Sequence, residues 1–120
     1  MNRRLNLFPL LALVLAGALS SPAARAQDAP HRVEITAKKF SFDPPEITVK
    51  KGEPVLLVLK SADVGHGIRI RELNVQLSVK AGQTGQVQFT PQNTGDFVGK
   101  CSVFCGSGHG HMALKLHVVE

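Results

Sequence analysis

The sequence predicts an all-β domain, a Greek-key sandwich or barrel of about seven to eight strands. Three observations carry that expectation. Apolar and polar residues alternate in about eight short runs between positions 33 and 119. Clusters of Gly, Pro, Asn and Asp separate those runs. No segment repeats its apolar residues with a helical period.

The runs follow in order. Val33, Ile35 and Ala37 share one face of VEITAKK, and Ile47 and Val49 do so in EITVKKG. VLLVLKS, residues 55–61, is nearly continuous in apolar residues, as in strands buried on both faces. GIRI (67–70), LNVQLSV (73–79), GQVQFTP (85–91), DFVGKC (96–101) and ALKLHVV (113–119) alternate again. Asp43-Pro44-Pro45, Lys51-Gly52, Ala81-Gly82 and Asn93-Thr94-Gly95 mark turns between them. Trp and Tyr are absent, so the core rests on Val, Leu, Ile and Phe.

The first 26 residues stand apart. Arg3 and Arg4 precede an apolar run from Leu5 to Leu19, and Ala24-Arg25-Ala26 has the small-x-small form of a cleavage site. This order predicts a secretory signal peptide over 1–26 and one domain over 27–120, exported and, in a bacterium, periplasmic. The apolar run is shorter than the roughly 20 residues of a membrane span, so membrane attachment is expected only if the signal stays uncleaved. Removing it takes three of the 14 Lys and Arg and leaves 11 against 9 Asp and Glu, a net charge of +2. No basic cluster with interleaved aromatics supports nucleic-acid binding. A monomer is expected.

CSVFCGSGHGHM, residues 101–112, fills the connection between the last two runs and holds both cysteines of the chain, two of its five histidines and one of its two methionines. A loop of this length in a small domain points to function. A disulfide is the ordinary fate of two exported cysteines, but one joining Cys101 to Cys105 closes so short a loop that it constrains the unfolded chain little. Thiolate and thioether favour soft metals such as Cu(I), and imidazole suits copper and zinc. Cys101, Cys105, His109 and Met112 are therefore candidate ligands. His66, in DVGHGIRI, stands before a strand on a loop that a Greek key can bring to the same end. His31, His111 and His117 are read as solvated.

The spacing C-S-x-x-C-G-x-x-H-x-x-M over 101–112, with D-V-G-H upstream and FTPQNTGDFVGKC leading into the loop, resembles the CuA copper domain of cytochrome oxidase subunit II and of nitrous oxide reductase. The resemblance spans residues 33 to 120 and implies a cupredoxin sandwich. It implies that Cys101 and Cys105 bridge two copper ions, with His66 and Met112 completing one and His109 and the Val103 carbonyl the other. The family commonly carries Glu, Gln or Trp at position 103; Val serves equally where only the carbonyl binds. It further implies outer-sphere one-electron transfer with a redox partner such as a c-type cytochrome or an oxidase, and no enzyme activity of its own. The chain departs from subunit II in showing a signal peptide in place of membrane helices and in lacking a Trp/Tyr-rich segment, so a stand-alone domain is expected.

Other uses of the same residues stay open at this stage. One is a copper storage or delivery module. A second is a mononuclear blue-copper site, which needs a single cysteine. A third is a reactive dithiol, although no helix follows the cysteines to lower a thiol pKa. Cys2His2 also suits zinc but leaves Met112 and the DVGH segment without a role.

Overall fold

The computed structural model describes residues 29–120 and the isolated Gly17. The predicted cleavage site, and the signal segment apart from Gly17, lie outside the described residues. The described chain forms nine strands in two sheets. They are β1 (His31–Lys38), β2 (Ser41–Asp43), β3 (Glu46–Lys50), β4 (Val55–Ser61), β5 (His66–Ile70), β6 (Val75–Val79), β7 (Thr84–Phe89), β8 (Gly95–Lys100) and β9 (Ala113–Val119). One sheet has the order β2-β1-β4-β7 and the other β3-β9-β8-β5-β6. The pairs β1–β4 and β3–β9 are parallel and the rest antiparallel, so the chain crosses between the sheets.

The alternation becomes burial. In β9, Leu114, Leu116 and Val118 enter the core while Ala113, Lys115 and Val119 face outward. The apolar run in β4 lies between β1 and β7, and five of its seven residues are buried. Each such aliphatic side chain contributes about 1.5–3 kcal/mol on leaving water, which in a domain of this size lets the core hold a loop rigidly at its end. Cys101, Cys105 and Met112 belong to that same apolar cluster.

The structure departs from the sequence expectations in three places. β2, three residues beside two prolines, is a strand too short to show alternation. The run predicted from residue 73 starts at Val75, because Arg71–Leu73 winds into a 3-10 turn that ends at Asn74 in the left-handed region (φ 52°). The phenylalanines divide: Phe42 is buried, Phe89 and Phe97 pack against the core, but Phe40 and Phe104 are exposed. Phe40 lies against the 101–112 loop and Phe104 belongs to it. Among the described residues no helix is long and apolar enough to cross a membrane.

Candidate metal centre

The loop begins where β8 leaves the sheet. Its base is closed by the Cys101 amide, which donates to the Met112 carbonyl at 3.1 Å. The Ser102 amide reaches the Gly67 carbonyl of β5 at 3.4 Å. Position 67 has no room for a side chain: a Cβ there would lie 2.2 Å from Ser102 Oγ, 3.0 Å from the Leu77 carbonyl and 3.1 Å from the Val103 side chain. This close approach seats the start of the loop beside His66, the first residue of β5. From the other side, the Phe40 ring covers the loop so closely that a Cβ at Gly108 would come within 2.4 Å of it. His109–His111 then makes one 3-10 turn that delivers Met112 back to the core.

The six predicted residues converge. Cys101 Sγ lies 4.0 Å from His66 Nδ1, 3.8 Å from Cys105 Sγ and 3.2 Å from the Val103 carbonyl oxygen. Cys105 Sγ lies 3.7 Å from His109 Nδ1 and 3.8 Å from Met112 Sδ. The nitrogen of His66 and the two sulfurs all fall within 4.8 Å of one another. Nitrogen and sulfur donors sit about 2.0–2.3 Å from a bound ion, so two donors of one tetrahedral ion lie roughly 3.4–3.8 Å apart. The contacts of Cys105 Sγ with Cys101, His109 and Met112 fall in that range, while His66 Nδ1 at 4.0 Å and the Val103 carbonyl at 3.2 Å from Cys101 Sγ lie just outside it. His66 is fully buried, and Met112, Cys105 and Cys101 are nearly so. His111, by contrast, is exposed on the loop, as are the side chains of Ser102 and Phe104.

Asp63 orients His66, a role the sequence pattern did not expose. Its Oδ1 accepts from His66 Nε2 at 2.6 Å and from the Val64 amide at 2.7 Å, and its Oδ2 accepts from the Lys39 amide at 2.8 Å. The Lys39 amide above all, with the His66 ring and the Val64 amide, holds the carboxyl at about 2 against the opposing push of burial. A carboxylate beside Nε2 fixes the proton there and leaves the Nδ1 lone pair facing Cys101. The DVGH segment carried Asp63, but its partner amide comes from the distant turn between β1 and β2.

The two cysteines are free thiols, with sulfurs far beyond the 2.03–2.05 Å of a disulfide. Burial, and next to it the neighbouring Cys101, push the Cys105 thiol up. A thiol so placed is a poor nucleophile.

Comparison with known proteins agrees with this architecture. The profile of the cupredoxin-like domain matches residues 9–113. Cytochrome c oxidase subunit 2 of Thermus thermophilus is 30% identical over 107 residues, covering 87% of this chain and 79% of that protein. The chain spans 64% of a second T. thermophilus sequence of the same name and 24% of the probable cytochrome c oxidase subunit 2 of Streptomyces avermitilis. Among solved structures, the periplasmic domain of subunit II of cytochrome oxidase of Bradyrhizobium japonicum superposes with a TM-score of 0.70 at 22% identity, covering 77% of this chain and 86% of that one. A chain of a heme-copper terminal oxidase dimer superposes with a TM-score of 0.67 at 28% identity, covering 78% of this chain and 68% of that one. Two sheets closed by a donor-rich loop, with a matching profile over most of the sequence, make this chain a member of the cupredoxin-like domain family and a relative of cytochrome c oxidase subunit 2.

Proposed function

We propose that this domain binds copper at His66, Cys101, Val103, Cys105, His109 and Met112 and works as a one-electron carrier. The observation that carries the reading is the position of the two thiol sulfurs, 3.8 Å apart with nitrogen, oxygen and thioether donors around them. Copper held between Cys101 and Cys105 as a pair of ions would spread one electron over both, so that its gain or loss would demand little movement of the residues that hold it. Cys101 and Cys105 would bridge, His66 and Met112 would complete one ion, and His109 and the Val103 carbonyl the other.

The chain's own part is to exclude water and hold positions. Burial of His66, Cys101, Cys105 and Met112 shields the donors. Asp63 holds the proton on His66 Nε2. The closed loop base and the Phe40 cover resist rearrangement, which suits outer-sphere transfer. With protein groups supplying every proposed position, no place is left for a substrate. The relatives named as oxidase subunits support a redox partner such as a c-type cytochrome or an oxidase. We further propose export to the periplasm with cleavage after Ala26, leaving 27–120 as a single working domain.

Protein-film voltammetry of the copper-loaded chain tests this function. A reversible one-electron wave is expected. Copper that stays bound without any reversible wave would shift the reading to storage or delivery.

A further inference from the structure

The outward face of the five-stranded sheet treats its charges in two ways. Toward one end, opposite charges meet across strands. Lys115 lies opposite Glu46 and within 3.6 Å of it, and His117 lies opposite Asp96 at 2.6 Å and also 3.6 Å from Glu46. Toward the other end, beside the metal centre, Arg69 of β5 is paired in register with Lys100 of β8. Like charges directly opposite on neighbouring strands repel. Among the described residues, Arg69, Arg71 and Lys100 form no ion pair.

These three cations line one cleft of about 500 Å³, together with Glu72, Val98, Ser102 and Cys101 itself. Arg69 and Arg71 continue into a second hollow along β6. Val98 places an apolar surface among the cations, 47% exposed. The face therefore combines a net positive charge, three cations against the one carboxylate of Glu72, with an exposed apolar contact, and it borders the nearly buried Cys101. Among the described residues no aromatic side chain lines the cleft, so it lacks the stacking surface that single-stranded nucleic acid commonly uses.

We propose that this cleft is the docking surface for an acidic partner protein, whose carboxylates seat between Arg69, Arg71 and Lys100 and whose surface covers Val98. Charge complementarity of this kind raises association rate and sets orientation, and here it brings the partner against the Cys101 side of the centre. That the partner is a redox protein rests on the proposed function; the docking surface does not.

The test uses the full chain, metal-free and reduced, titrated with an octaglutamate peptide while backbone amide NMR signals are followed. The amides of Arg69, Arg71, Val98, Lys100 and Ser102 are expected to shift together. R69Q/K100Q is expected to weaken peptide binding at least tenfold, K60Q on the other sheet to leave it unchanged, and added salt to abolish it. R71Q gives the same reading, with a smaller loss, if the double variant does not fold. Absence of binding at low salt, shifts centred on Lys38, Lys39 and Lys60, or undiminished binding by the cleft variants would overturn the proposal. So would tighter binding of a single-stranded oligonucleotide at the same amides. Copper content and voltammetry of the same variants report on the electron-carrier reading separately.

Discussion

The two histidines of the proposed centre are held in opposite ways. His66 begins a strand paired on both sides, is fully buried, and donates a hydrogen bond from Nε2 to a carboxylate that two backbone amides pin in place. His109 lies on a single 3-10 turn, is half-buried, and has for neighbours Cys105 Sγ and the exposed ring of Phe104, whose centroid is 5.6 Å from its own. One side of the centre is built into the core and the other rests on it. The difference is between a fixed frame at His66 and a more open flank at His109.

Removing what the two sides share breaks the comparison most completely. Cys105 Sγ is within 3.8 Å of Cys101, His109 and Met112. Cys105→Ser is expected to reduce bound copper to one ion or none per chain, measured by metal analysis after desalting. Two tightly held coppers in that variant would rule out bridging.

Next in size is the framed side. Gly67→Ala forces a methyl against Ser102 and the Leu77 carbonyl, and overpacking of this kind costs about 1–3 kcal/mol. A fall in Tm of about 4–8 °C per kcal/mol is expected in calorimetry. Gly110→Ala, which meets nothing within 4 Å, is the control and should melt with the parent. Equal Tm values for both variants would show that the loop is not seated on β5.

The asymmetry of the histidines predicts unequal effects on copper affinity. Asp63→Asn removes the charge that orients His66 and should weaken binding about 10–100-fold in competition titrations. Phe104→Ala, at a side chain 78% exposed, should stay within about twofold, as surface changes cost under about 0.5 kcal/mol. Equal losses from the two would remove the distinction drawn between the sides.

The smallest effect belongs to the paired end of the outer sheet face, away from the centre. Asp96 foremost, then Glu46, raise the pKa of His117 above its ordinary value of 6.5. A histidine with a folded pKa above its unfolded one contributes stability that is complete below pH 6.5 and is lost as pH rises through the folded value. His117→Gln should flatten that part of the stability–pH curve, followed by urea unfolding, and leave copper affinity alone. An unchanged slope would mean that the contact is spent on solvent.

The sequence carried the core and the loop because both are local patterns. Alternation named β1, β3 and β9 and a near-continuous apolar run named β4, and four candidate donors stood within twelve residues. His66 entered through the convergence of loops that a Greek key allows, and the DVGH segment then added the resemblance, since nothing local ties it to the loop. What stayed hidden depends on distant backbone. Asp63 acquires its role through the Lys39 amide, Phe40 through contact with Gly106 and Gly108, and the cationic cleft through the register of Arg69 with Lys100. None of these pairings has a sequence period to reveal it. His117, expected outward, is outward but paired, because its partners come from two neighbouring strands.

The central claim is that two bridging thiolates organise this centre, and the most direct measurement is copper stoichiometry joined to the EPR spectrum of the oxidised, copper-loaded chain. Two coppers per chain and hyperfine splitting shared equally by two nuclei are expected. One copper per chain, with splitting from a single nucleus, would contradict it.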